Sequence, residues 1–187
     1  MPKGKPLANS GEEAIERLQR AIEYRFSDPE LLILALTHSS LAAEEHREPG
    51  GSADNEQLEF LGDAVLGLAA AEHLFRVYPD MDEGSLTRLR ARFVNRQHLA
   101  EAARKLSLGE CLRLGKGEEK SGGRRKTAIL ANAMEAMIGA VFLDGGLVEA
   151  SKLVRLHLID PSLDRLAAAA RAGESVGDYK SILQEHF

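Results

Sequence analysis

Tryptophan is absent, cysteine occurs once, and aromatic side chains amount to three tyrosines and six phenylalanines in 187 residues. The lone thiol, Cys111, excludes a disulfide framework and any CxxC redox or metal site. Valine and isoleucine contribute only 14 residues, against 54 from alanine and leucine. Strand formers are therefore scarce and helix formers plentiful, which excludes a β-sandwich or barrel and predicts an all-α chain. The sequence has no run of eighteen apolar residues and no charged-then-apolar signal peptide at its start, so the expectation is a soluble, cytoplasmic protein with no membrane partner. What is there, 44% apolar and 28% charged residues, is the composition of a globular domain with a real core plus a fragment of a second. The formal charge of −5 argues mildly against a nucleic-acid partner, but net charge hides local patches.

Residues 1–10 read as a loose tail. Apolar residues recur at helical spacing from Glu12 to Phe26, and Ser27-Asp28-Pro29 starts a second helix through Leu36. Residues 42–54 read as a polar loop, followed by a long helix from about Asn55 to Val77. After a turn, Ser85 is placed to cap a helix running to about Leu106. Residues 109–126 read as irregular, glycine-rich and basic. Thr127 to Leu143 is helical and ends at Asp144-Gly145-Gly146, a further helix covers Val148 to Ile159, and a short one runs past Pro161 to about Arg171. The chain divides into a main domain at 11–172, a linker at 173–177 and the start of something unfinished at 178–187.

Two helices carry the chemistry. In the first, Leu58, Leu61, Val65 and Leu68 form an apolar face. Glu56, Glu59 and Asp63 lie opposite, flanked by Phe60, Leu66, Gly67 and Ala70. A helix apolar nearly all round is normally buried, and carboxylates inside it need partners. The second, Thr127 to Leu143, has one charge, Glu135, with Asn132 on the same face. Glu59 with Asp63 and Asn132 with Glu135 would bring four oxygens together if the helices pack face to face. Such a set suits a hard divalent cation such as Mg²⁺. The competing reading, acids paired with arginines or set in a wet helix seam, stays open on spacing alone.

Arg88, Arg92 and Arg96 fall at successive helical turns, and the 109–126 segment carries Lys116, Lys120, Arg124 and Arg125 among others. Such patches hold phosphates even on an acidic protein, although a solvated face explains each patch taken alone. Gly109 to Lys116 is off the P-loop spacing, which removes a nucleotide cofactor. The six histidines form no HxH or HxxxH pair, which argues against zinc. His38, in Thr37-His38-Ser39, reads as a capping or packing residue rather than part of a nucleophilic triad.

The run Asn55-Glu56-Gln57-Leu58-Glu59-Phe60-Leu61-Gly62-Asp63-Ala64-Val65-Leu66 resembles the signature of the ribonuclease III family. Further blocks resemble that family in order: Leu31-Leu32 with Ala35 to Ser40, Asp82-Glu83-Gly84, Leu108-Gly109-Glu110 with Gly115 to Arg125, and Ile129 to Gly146. The resemblance covers about residues 12–160. Asp178 to Glu185 is similar to the start of the family's double-stranded-RNA-binding domain. The resemblance implies a helical homodimer that cleaves double-stranded RNA with Mg²⁺, Mn²⁺ serving as a substitute, and leaves 5′-phosphate and 3′-hydroxyl ends. It further implies processing of ribosomal, transfer and messenger RNA precursors. By the same resemblance Asp63 and Glu135 are catalytic, Glu59, Asp63, Asn132 and Glu135 hold the metal, and Glu56 and Glu83 are acids near the RNA path or the dimer valley. Arg88, Arg92, Arg96, Lys116, Lys120, Arg124 and Arg125 are expected to grip the A-form backbone, which proteins read by shape.

Asn132 departs from the family pattern, which most often has aspartate there. Its carbonyl can ligate Mg²⁺ but removes one negative charge, so weaker metal binding is expected. Two other readings remain: a double-stranded-RNA-binding protein whose cleavage is lost through Asn132, and a helical dimerisation module with internally paired acids. Intact Glu59, Asp63 and Glu135 speak against the first, and the basic patches against the second.

Overall fold

The computed structural model describes residues 9–45, 53–164 and 166–167. Residues 1–8 of the tail expected at 1–10, the middle of the 42–54 loop, the 173–177 linker and the 178–187 fragment lie outside them, while Asn9 and Ser10 are helical rather than part of a loose tail. Among the described residues the structure is helical without strands, and one isolated bridge pairs Thr37 with Arg113.

The helices are α1 (Asn9–Ala21), α2 (Pro29–Ala35), α3 (Ser39–Glu44), α4 (Glu56–Val77), α5 (Glu83–Phe93), α6 (Arg96–Lys105), α7 (Leu108–Cys111), α8 (Lys116–Lys120) and α9 (Thr127–Val154). Their starts follow local chemistry. Asp28 accepts the Glu30 amide at 3.0 Å ahead of Pro29, a side-chain cap with proline in the first turn. His38 caps α3, its Nδ1 accepting from the Ser40 amide at 3.2 Å, which is the capping role expected of it. That short helix occupies the beginning of the segment expected to be loop.

Three other expectations are corrected. The helix anticipated from Ser85 to Leu106 is two helices. Asp82, not Ser85, caps the first by accepting the Ser85 amide at 2.9 Å. Asn95 divides them: its extended backbone stops α5, its side chain donates to the Arg92 carbonyl at 2.7 Å and accepts from the His98 amide at 2.9 Å. One residue thus satisfies an orphan carbonyl behind it and an orphan amide ahead. The 109–126 segment is not irregular but contains α7, α8 and a 3-10 turn at Gly123–Arg125. The first helix begins and ends earlier than periodicity suggested, at Asn9 and Ala21.

α9 is the central element. Its first half buries Ile129, Leu130, Ala133, Met134, Met137, Ile138 and Val141, among others, because α4 packs along it more extensively than any other helix, followed by α6. Thr127–Ser162 has the length and hydropathy of a membrane span, yet 61% of its apolar window is buried inside the protein. At Gly146 the backbone turns to φ 79° and ψ −177°, a region that glycine enters without steric cost. This break lies where Asp144-Gly145-Gly146 was expected to end the helix.

α4 is buried on one side only. Leu58, Gly62, Val65, Leu66, Ala69, Ala70 and Leu74 face the core, whereas Phe60 is 82% exposed, Leu68 55% and Phe75 70%. The expectation of a helix enclosed on all sides therefore holds for the first half of α9 and fails for α4 within one protomer.

Candidate active site

α4 and α9 cross at two glycines. A Cβ on Gly62 would overlap the carbonyl oxygen of Glu135, and one on Gly139 would overlap that of Leu58. The backbones touch because neither residue carries a side chain. Gly62 lies between Glu59 and Asp63, and Gly139 one turn beyond Glu135, so the contact that fixes the crossing also sets the acids of both helices opposite one another. Sequence reading missed this pair. The available signal was a glycine in the interior of each helix, which costs roughly 1 kcal/mol against alanine.

Glu59, Asn132 and Glu135 are half-buried, and Asp63 is exposed. Desolvation, followed by the charges of Asp63 and Glu59, raises the Glu135 carboxyl from its ordinary 4.5 to about 7, with Arg96 opposing. Desolvation also raises Glu59. The Asn132 amide, hydrogen-bonded to the Glu59 carboxylate, opposes that shift, Glu56 and Asp63 add to it, and Arg96 opposes it. The four oxygen-bearing side chains expected to converge therefore share one neighbourhood. Among the described residues, no three His, Cys, Asp or Glu side chains form a ready-made coordination cage. The arrangement is looser, as suits an ion that retains several waters.

The donor set fits a hard divalent cation. It contains carboxylate and amide oxygens and no sulfur or imidazole nitrogen. Burial first, and the neighbouring acids second, disfavour the charged forms of Glu59 and Glu135, a cost that a dication would relieve. With its N–H bonded to Glu59, Asn132 would present its Oδ1 to a cation.

The remaining candidates separate. Glu56 is exposed in the first turn of α4, close enough for its charge to act on Glu59. Glu83 begins α5, exposed, and accepts the Thr87 hydroxyl at 3.0 Å; its charge is not among those acting on Glu59 or Glu135. The arginine stripe is broken by Asn95. Arg88 is exposed and donates to Ser85 Oγ at 2.8 Å. Arg92 is only 4% exposed, so its assignment to the RNA-gripping surface is corrected: the turn of α5 that carries it faces inward beside Leu89 and Phe93. Arg96 begins α6 and acts on the acid cluster. Lys116, Lys120 and Arg125 are exposed as expected.

Arg124 does a different job from the one anticipated. Its guanidinium donates to the carbonyls of Gly109, Glu110 and Leu112 at 3.0, 3.2 and 2.8 Å and pairs with Glu119 at 2.7 Å. It staples the 3-10 turn to α7, satisfying carbonyls at that helix's end.

The family model described as Ribonuclease-III-like matches residues 28–162. Ribonuclease 3 of Solibacter usitatus is 48% identical over 172 residues, which is 90% of this chain and 64% of that protein. Ribonuclease 3 of Oleidesulfovibrio alaskensis is 50% identical over 91% of this chain and 71% of its own length. The chain thus spans about two thirds of these relatives. A solved nuclease domain of ribonuclease III from Campylobacter jejuni, described for structural flexibility in a region involved in dimer formation, superposes with a TM-score of 0.71 at 42% identity, over 80% of this chain and 99% of that one. Giardia Dicer, at 23% identity and a TM-score of 0.59 over 81% of this chain and 20% of its own, shares the fold. By sequence and by architecture alike, the chain belongs to the ribonuclease III family.

Proposed function

We propose that this chain is the nuclease part of a double-stranded-RNA endoribonuclease that uses Mg²⁺, with Mn²⁺ as a substitute, and works as a homodimer. The observation that carries this reading is the meeting of Glu59, Asp63, Asn132 and Glu135 across the α4–α9 crossing. Glu59, Asp63 and Glu135 would hold the cation through carboxylate oxygens, and Asn132 through Oδ1. When bound, the cation supplies polarisation of the scissile phosphate and acidification of water. Asn132 orients Glu59 through its hydrogen bond. Glu135, with its pKa near 7, can hold or release a proton at its carboxyl near neutral pH. Exposed Arg88, Lys116, Lys120 and Arg125 supply positive charge for a phosphate backbone.

The dimer reading is supported by the outer stripe of α4. Phe60, Leu68 and Phe75 recur along one side, and Leu147 and Val148, 42% and 78% exposed, add to the apolar surface of the same protomer. Contiguous exposed apolar surface of this kind marks an interface, and Gly67, with nothing within 4 Å of its Cβ position, leaves room for a close approach. We further propose a nuclease domain at 11–172, a linker at 173–177 and the start of an RNA-binding domain at 178–187. The cellular reading is processing of ribosomal, transfer and messenger RNA precursors in the cytoplasm.

The test is incubation with matched double-stranded RNA, single-stranded RNA and double-stranded DNA, followed by analysis of product ends and an Mg²⁺ titration of the Asn132→Asp variant. Cleavage of the RNA duplex alone, with 5′-phosphate and 3′-hydroxyl ends and a lower Mg²⁺ midpoint for Asn132→Asp, is expected. Binding of the duplex without cleavage, restored by Asn132→Asp, favours the RNA-binding alternative. Superimposable Mg²⁺ curves would remove the weakening assigned to Asn132.

A further inference from the structure

The residues from Leu36 to Ser40 join two parts of the fold that the sequence keeps far apart. On one side they hold the start of α4. The Asn55 amide donates to the Thr37 carbonyl at 2.9 Å, and the Asn55 side chain donates to the Ala35 carbonyl at 3.1 Å. Thr37 and Asn55 are both buried, so these bonds act in a low dielectric, where they are strong. On the other side the same residues hold the approach to α8. The Arg113 amide donates to the Leu36 carbonyl at 2.8 Å, and the His38 amide donates to the Arg113 carbonyl at 3.0 Å.

α3 extends that second contact with side chains. Ser40 Oγ accepts the Gly115 amide at 2.9 Å, and Glu44 Oε1 accepts the Gly117 amide at 3.2 Å. The approach is close: a Cβ on Gly115 would overlap the Ser40 carbonyl and the Glu44 carboxylate. α8 has five residues, too few to hold a helical shape unaided. Its acids are committed, Glu118 to Lys126 and Glu119 to Arg124, each at 2.7 Å. Its lysines, Lys116 and Lys120, are exposed and have no ion-pair partner among the described residues. One segment therefore anchors both the helix that carries Glu59 and Asp63 and the short helix that carries two unspent cations.

We propose that Ser40 and Glu44 are positioning residues for the duplex, fixing α8 so that Lys116 and Lys120 meet backbone phosphates at a set distance from the α4–α9 crossing. The proposal rests on the double-stranded-RNA reading above and deepens it, naming what sets the register between grip and cleavage. A duplex presents its phosphates in a fixed shape, and a cation already held in place binds one without the cost of being ordered first. Glu44 gives the sharper case. Its own charge repels RNA, so it aids binding only through the bond to Gly117.

The test is a double-mutant cycle on the full chain, with affinity for an RNA duplex read by fluorescence anisotropy at low salt without metal, and KM and kcat read with Mg²⁺. Glu44→Ala is expected to weaken duplex binding by roughly three- to tenfold, the loss of one hydrogen bond, and to act on KM rather than kcat. Ser40→Ala is expected to act in the same direction. Glu44→Gln keeps an acceptor for Gly117 and drops the repelling charge, so it is expected to bind as tightly as the unaltered chain or more tightly. The loss in Glu44→Ala is expected to vanish when Lys116 and Lys120 are both replaced by alanine. Equal behaviour of Glu44→Ala and Glu44→Gln, or a loss that persists without the two lysines, overturns the proposal. Unchanged binding on removing both lysines also overturns it, while cleavage of the duplex by the unaltered chain keeps the nuclease reading standing. An unaltered chain that neither binds nor cleaves the duplex overturns both.

Discussion

Gly62 and Gly139 face each other where α4 crosses α9, and each would drive a Cβ into the backbone of the opposite helix. The consequence is mechanical. A side chain at either position must push the helices apart, and the acids ride on those helices. Gly62→Ala gains helix propensity of about 1 kcal/mol, but overlap with a buried carbonyl dominates. A net destabilisation of roughly 1–3 kcal/mol is expected, read by urea unfolding, with a loss of nuclease activity in the fraction that remains folded.

The raised Glu135 makes stability depend on pH. A carboxyl that titrates at 4.5 when unfolded and at about 7 when folded takes up a proton on folding between those values. Its contribution is fully present below 4.5 and is lost as pH rises through about 7. The melting temperature of the metal-free chain, measured in chelator from pH 5 to 8, should therefore fall more steeply than that of Glu135→Gln. Parallel curves would show that burial and the neighbouring acids do not raise Glu135.

Phe60 tests the proposed dimer. It is 82% exposed in the protomer, so Phe60→Glu should leave the protomer fold intact. Sedimentation should show a dimer for the unaltered chain and a shift toward monomer for the variant. A monomer in both cases would remove the explanation offered for the apolar stripe on α4.

Arg124 and Lys120 should separate folding from binding. Arg124→Ala removes charge-assisted bonds to three carbonyls and should cost roughly 1.5–3 kcal/mol of stability. Lys120→Ala removes an exposed charge and should leave the unfolding free energy within about half a kcal/mol of the original. Its effect should instead be weaker duplex-RNA binding, with a reduced dependence on salt.

The parts of this fold legible in the sequence are those decided locally. Asp28-Pro29, His38 and the Gly145-Gly146 stop mark helix boundaries by chemistry confined to a few residues, and the structure has boundaries there. The acid pairs were legible because helical spacing alone puts Glu59 beside Asp63 and Asn132 beside Glu135. What stayed hidden depends on distant partners. Asn95 looks like any polar residue inside an amphipathic run until its two-sided capping is seen. Arg92 and Arg124 carry the same side chain as the surface arginines, yet one is turned into the core and the other is used up on backbone carbonyls. The outer face of α4 misled for a related reason: apolar composition reports that a surface is to be covered, not whether its own chain covers it.

The α4–α9 crossing is proposed as a metal-dependent nuclease site. The most direct measurement is cleavage of a long RNA duplex at low salt by the unaltered chain and Glu135→Gln, with Mg²⁺ and with Ca²⁺ in parallel. Cleavage by the unaltered chain with Mg²⁺, none with Ca²⁺, and a loss of at least about a hundredfold in Glu135→Gln are expected of such a site. Equal cleavage by both proteins, or cleavage indifferent to the metal, would contradict it.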